Sequence, residues 1–378
     1  MVTPRENLLR VFRGEAPDWL PVTGHCDPYN QPSREGMDPD LAAALGEVHW
    51  GDTATVTFSR YLGLDIMDWF GMPAVRISRR NVVVEQVIDG DTTTRTWHTP
   101  AGDLREVIRV CREPGGAVSS NWTEHPIKTA DDLEALAAIH EDELIELDPA
   151  GVERTRERAE LIGDDGMILG PMAGTPLGMM YRVYSGVATL AYLWADARQA
   201  LMDCFAAMEA NYLRRLKVGV QSDVDAVVGV DDTSTTAISP AMFEACNLDL
   251  TDARADAAHA AGKLYFHHSC GLIRDLLGLY RRTRMDAVHA FTVPPLGNVT
   301  IAEGRKLLGN RIAIIAGNGV LSGPMDDPVA VRESIYRMVQ EAGSSAHLIL
   351  GVAGYPNRTM EQTQFVVDCC REVGGRRE

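Results

Sequence analysis

Short apolar runs alternate with longer amphipathic stretches over most of this chain. Runs rich in Val, Ile and Leu, bounded by Gly, Pro or Asp, predict strands near residues 19–23, 64–70, 167–171, 225–231, 263–270, 286–292, 311–317 and 347–353. Helical spacing fills the gaps, with start signals at Thr3-Pro-Arg-Glu6, Thr129-Ala-Asp-Asp132, Ser239-Pro240, Thr300-Ile-Ala-Glu303, Asp327-Pro328 and Thr359-Met-Glu-Gln362. Eight strand–helix units predict an α/β fold, a closed (β/α)₈ TIM barrel that takes up residues 1–378 as one domain. The rival is an open doubly wound sheet. That fold usually places a glycine-rich phosphate loop after its first strand, and neither GxGxxG nor GxxxxGK[ST] occurs here.

Between residues 81 and 111 the period changes from helical to two. Val82, Val84, Val87, Thr92, Thr94, Thr96 and Val107 alternate with polar residues around Asp89-Gly90 and Pro100-Ala-Gly102. This predicts an antiparallel β-ribbon inserted in the barrel.

Composition narrows the class without altering the fold. Hydrophobic residues make up 45% and aromatics 6% of 378 residues, without a continuous apolar run of membrane-spanning length. Met1-Val-Thr-Pro-Arg-Glu6 lacks the plan of a signal peptide, so a cytoplasmic protein is expected. A formal charge of −17 disfavours nucleic acid and acidic membrane surfaces as partners and leaves a small-molecule substrate. The seven cysteines form no repeated CxxC pair, which predicts thiols and no disulfide framework.

Chemistry collects where predicted strands end. In Lys263-Leu-Tyr-Phe-His-His-Ser-Cys-Gly271, alternation sends His268 and Cys270 to one face and His267 and Ser269 to the other. If the strand lines a barrel, an imidazole and a thiol meet at its mouth, where both are good zinc ligands. A core histidine beside a packed cysteine is the competing reading of the same residues. Other strand-end groups are His25 and Cys26, the neighbours Asp231 and Asp232, Thr292 and Asn318. Of the two acids only one can face the mouth, there to orient a histidine, act as general base or cap a helix. His289 falls mid-strand and reads as a core or pocket-floor residue.

The order of several segments resembles the uroporphyrinogen decarboxylase superfamily. They are Thr3-Pro-Arg-Glu-Asn7, Phe12-Arg-Gly14, Pro21-Val22, Gly170-Pro171, Asp225 with Asp231-Asp232, Ser239-Pro240, His268-Ser-Cys-Gly271, Pro294-Pro295, Gly317-Asn318 and Gly354-Tyr-Pro356. The resemblance implies one (β/α)₈ barrel, often a homodimer. Decarboxylases in the superfamily carry two arginines after the first strand, where this chain has Cys26 and Asn30 within His25-Cys-Asp-Pro-Tyr-Asn30. Their late active-site histidine is replaced by Val352 or Ala353.

The resemblance to the other branch, methyltransferases that act between a corrinoid and a thiol such as coenzyme M, implies zinc bound by His268 and Cys270. The second cysteine of that branch falls at Ala353, so Cys26 or His25 is the candidate for a further ligand. A corrinoid-linked, zinc-dependent methyltransferase is therefore the expected function. The chain has no D-x-H-x-x-G motif, so the corrinoid is expected as a co-substrate, free or on a separate corrinoid protein. Two alternatives stand beside it: a metal-independent decarboxylase or lyase of a small carboxylate, with Asp232, Asp65 and Tyr181 as catalytic candidates, and a non-catalytic accessory protein of the same fold.

Overall fold

In a computed structural model, residues 1–25, 37–45, 53–112, 118–318, 321, 325–353 and 358–375 are described. Fourteen strands occur among them: β1 (Val22–His25), β2 (Ile66–Trp69), β3 (Val75–Ser78), β4 (Val83–Asp89), β5 (Thr92–Thr99), β6 (Gly102–Arg112), β7 (Val118–Glu124), β8 (Leu144–Leu147), β9 (Gly166–Ala173), β10 (Ala226–Val230), β11 (Leu264–His268), β12 (Ala287–Thr292), β13 (Ala313–Asn318) and β14 (Leu348–Ala353). All eight strands expected from the hydrophobic runs are present. They form one parallel sheet in the order β1, β14, β13, β12, β11, β10, β9, β2. The two outer strands of that order approach each other, and the Asp65 N–H donates to Val22 O at 2.8 Å, so the sheet comes close to closing. The architecture is an α/β TIM barrel, as expected.

Alternation along each strand divides the core in two. Met67, Leu169, Val228, Phe266, Ala287, Ile315 and Ile349 point inward, while Val227, Tyr265, Val288, Ile314 and Leu350 point out into the layer beneath the helices. The opening helix Pro4–Arg13 closes the N-terminal end of the barrel. Its Leu8 and Val11 are fully buried there, each worth about 1.5–3 kcal/mol, and Phe12 stacks on Phe266 with ring centroids 4.8 Å apart. Arg5 fastens the plug by donating to Gly166 O and to the Asp225 carboxylate. Because one end is plugged in this way, the opposite mouth is where side chains from different strands can converge.

The inserted sheet is larger than the ribbon over 81–111. It has four antiparallel strands, β4-β5-β6-β7, and runs on to Glu124. Its turns fall at the expected Asp89-Gly90 and Pro100-Ala-Gly102 positions. β7, Val118-Ser-Ser-Asn-Trp-Thr-Glu124, has little apolar alternation, and its pairing with β6 is secured instead by Trp122 donating to the buried Glu106 at 2.9 Å. A separate pair, β3 with β8, was also not expected. One start signal acts differently from its reading: Thr129 does not cap the helix Asp132–Asp142. The Asp132 carboxylate turns back and accepts from the N–H groups of Lys128 and Thr129, closing the loop before the helix. Caps at Thr3, Ser239, Thr300, Asp327 and Thr359 form as expected.

Candidate metal centre

β10, β11 and β12 lie side by side with Val230, His268 and His289 level with one another near the mouth. Beyond Val230 the chain curls over β11, and the carbonyl of His268 accepts from both the Asp231 and Asp232 N–H groups, at 3.1 and 3.0 Å. Asp232 sits there in the left-handed region at φ 49°, a conformation that aspartate tolerates better than most residues. The two neighbouring carboxylates consequently part. Asp231 turns outward and is fully buried, accepting from the Thr175 N–H at 2.7 Å, the Thr175 hydroxyl at 2.8 Å and the Asn247 amide at 3.0 Å. Asp232 turns into the mouth.

There Asp232 Oδ1 lies 3.0 Å from His268 Nε2 and 3.2 Å from Cys270 Sγ, which donates to it. One ligand atom from each of the three residues falls within 4.8 Å of the others. Burial by itself pushes the Asp232 carboxyl up, but the His268 hydrogen bond and charge, the Arg182 charge and the Cys270 thiol outweigh it and hold the group down at about 2. Asp232 is therefore a carboxylate throughout the neutral range. Burial, with the Asp232 charge beside it, pushes the Cys270 thiol up to about 12, so a divalent cation or a comparable charge is needed to ionise it at neutral pH. One carboxylate, one imidazole and one thiol, all half-buried at a barrel mouth, form a donor set that fits zinc. Hydrogen bonds also tie Asp232 to the other two.

Surrounding groups fix this cluster. Tyr181 and Arg182 sit in a single π-helical turn, Met180–Tyr184, a local widening that sequence periodicity does not reveal. The Tyr181 hydroxyl donates to the carbonyls of Asp231, at 3.0 Å, and Asp232. Arg182 donates to Val230 O at 2.7 Å and pairs with Asp232 Oδ2 at 3.3 Å. Behind His268 stands His289, with the two Nδ1 atoms 2.8 Å apart and Trp69 packed against both rings. On the outer face His267 meets Thr233, which with Ser269 and Tyr280 completes a buried hydroxyl network.

Measured against the sequence reading, His268 and Cys270 share a face and meet Asp232, while Tyr181 lies beside them. Asp65 does not join them. It lies before β2, at the plugged end of the barrel, where Val22 N–H donates to it at 2.9 Å and the Trp19 indole at 3.1 Å, so it holds β1 to β2. Thr292 accepts from Gly271 N–H at 3.0 Å and braces the end of β11. Cys26 and Asn30 lie outside the described residues, and of His25 only the backbone, in β1, is described. Among the described residues, Asp232 stands beside His268 and Cys270 as a third donor. Trp69 and the partnership of His289 with His268 were not foreseen.

Residues 116–373, more than half of the chain, match the family model for uroporphyrinogen decarboxylase (URO-D). This chain belongs to the uroporphyrinogen decarboxylase family. Among solved structures, a methyltransferase from Methanosarcina mazei is similar over 98% of this chain and 99% of its own, with a TM-score of 0.60 and 16% identity. A B12-independent methionine synthase from Shewanella sp. W3-18-1 is similar over 94% and 97%, with a TM-score of 0.47 and 9% identity. No curated protein sequence matches. Among the described residues no helix is long and apolar enough to cross a membrane.

Proposed function

We propose that this family member is a zinc-dependent, corrinoid-linked methyltransferase that passes a methyl group to a thiol acceptor. The convergence of Asp232 Oδ1, His268 Nε2 and Cys270 Sγ at the barrel mouth carries the reading, and a fold shared with a methyltransferase supports it. Zinc bound there supplies a Lewis acid that lowers the pKa of an acceptor thiol and keeps it nucleophilic at neutral pH. The chain's own part is to hold the donors. Cys270 would hold the cation as its thiolate, and Asp232, already ionised, would contribute charge. Tyr181 and Arg182 keep the Asp231-Asp232 turn in place through its carbonyls and the Asp232 carboxylate. In this reading Tyr181 is a positioning residue. The methyl donor is a corrinoid, free or on a separate protein, the molecule works in the cytoplasm, and the assembly is a homodimer.

The test is incubation of zinc-loaded protein with methylcobalamin and a panel of small thiols, following cobalamin demethylation by absorbance and the methyl thioether by mass spectrometry. Thioether formed by wild type and lost in Cys270→Ala supports the proposal. Demethylation that is equal in the two proteins, or absent with every thiol, contradicts it.

The half-exposed Arg182 guanidinium beside an ionised Asp232 favours one second reading, a metal-independent lyase or decarboxylase of a small carboxylate. Activity that survives chelation of metal and disappears in Asp232→Asn distinguishes it from the first.

A further inference from the structure

We propose that His289 is a positioning residue for His268, setting through one hydrogen bond which nitrogen of His268 is free to hold a metal ion. The inference rests on the metal reading of Asp232, His268 and Cys270. A neutral imidazole carries its proton on one nitrogen and a lone pair on the other. Without metal, the Asp232 carboxylate takes a hydrogen bond from His268 Nε2–H at 3.0 Å. With His268 neutral, its Nδ1 is then an acceptor, and the 2.8 Å contact places the shared proton on Nδ1 of His289.

With a cation against Nε2, the arrangement must invert. His268 Nε2 presents its lone pair, Nδ1–H becomes the donor, and His289 Nδ1 becomes the acceptor with its own proton on Nε2. With both rings neutral, the exchange moves protons within the pair and leaves one on each ring. Ligating histidines usually direct their second nitrogen to a carboxylate, a backbone carbonyl or water. Another imidazole in that place can serve both states, because it can donate or accept at the same atom.

Geometry independent of the hydrogen bond shows that this contact is built. The two rings lie 5.0 Å apart at 31°, and Trp69 closes on both, with centroids 5.8 Å from His268 and 4.9 Å from His289. His289 is buried at 3% exposure. Immediately after it Ala290 adopts φ 63°, a left-handed conformation that L-residues rarely take, and the register of β12 against β13 shifts between His289 and Phe291. Such an irregularity within a central barrel strand re-aims the side chain beside it.

The test compares His289→Leu, which removes the hydrogen bond, with His289→Asn, whose side-chain oxygen can accept near the place of Nδ1. Cobalt(II) titration, read by its ligand-field and sulfur-to-cobalt absorption, should show binding about 10–100-fold weaker in His289→Leu and largely restored in His289→Asn. Long-range proton–nitrogen NMR of histidine-labelled protein should find His268 protonated at Nε2 and His289 at Nδ1 without zinc, with both reversed by zinc. His289→Leu that binds cobalt like wild type, His289→Asn that is as weak as His289→Leu, or a His289 tautomer that zinc leaves unchanged would each overturn the proposal. Wild-type protein that takes up no cobalt, or Cys270→Ala that takes it up as tightly, removes the underlying metal reading as well. These outcomes differ from those in which the metal site stands and only His289 is irrelevant.

Discussion

Replacing Arg254 by Met tests how the barrel wall supports the mouth. Arg254 is fully buried, and its guanidinium donates to both oxygens of the buried Glu209, at 2.9 and 2.6 Å, and to the carbonyls of Ala173 and Gly174, each at 3.1 Å. Those carbonyls end β9 and lead to Thr175, the residue that holds Asp231. Removing one member of a buried pair strands the other charge at a cost of about 3–5 kcal/mol, and two carbonyls losing a donor add roughly 1–3 kcal/mol after local relaxation. Arg254→Met should therefore destabilise the protein by about 4–8 kcal/mol. Adding Glu209→Leu removes the stranded carboxylate, so the double variant should be about 3 kcal/mol more stable than Arg254→Met alone. Urea unfolding followed by circular dichroism and tryptophan fluorescence gives all four corners of the cycle, provided that both probes report one transition. A loss below 1 kcal/mol in Arg254→Met, or strict additivity of the two substitutions, refutes the reasoning.

Gly178 has its Cα hydrogen against the buried acid: a Cβ there would lie 2.0 Å from Asp231 Oδ1. Gly178→Ala should destabilise by about 2–4 kcal/mol in the same denaturation assay, and a neutral result would show that Asp231 can move freely. Burial, assisted by the charges of Arg215 and Arg79 and opposed by Glu143, holds the His140 imidazole down at about 4 against an ordinary 6.5. The unfolded chain then binds a proton that the folded one refuses, so stability is intact above pH 6.5 and falls as pH drops towards 4, by about 3 kcal/mol in all. Unfolding free energies between pH 7 and pH 4.5 should decline less steeply in His140→Leu than in wild type, and equal slopes would contradict the assignment. Uroporphyrinogen should not be decarboxylated, since Cys26 and Asn30 stand where paired guanidinium groups are needed to hold carboxylates. Coproporphyrinogen in the product mixture, read by fluorescence after oxidation, would overturn that expectation.

The barrel was legible because its signal is local and repeated. Each strand is a short apolar run, and five of the expected helix starts carry a side chain that caps the backbone. β7 was not, since its place in the sheet depends on cross-strand partners such as Trp122 and Glu106 and not on its own alternation. The strand rule also placed His268 and Cys270 on one face. Which of Asp231 and Asp232 would join them was open, because the answer depends on the φ 49° turn after β10 and on a carbonyl of a different strand. Asp65 was misplaced for the opposite reason: the acid stands before its strand, and an apolar run alone does not show that this end is the plugged one. His289, read as a core or pocket-floor residue, is buried, yet its contact with His268, 21 residues away in the chain, arises only once β11 and β12 lie in register.

Zinc content of protein expressed in zinc-supplemented medium, measured by elemental analysis in wild type, Cys270→Ala and Asp232→Ala, tests the central claim most directly. The account predicts about one zinc per chain in wild type and a large loss in both variants, because each removes one of three donors. Metal-free wild type, or variants that keep the full complement, would contradict it.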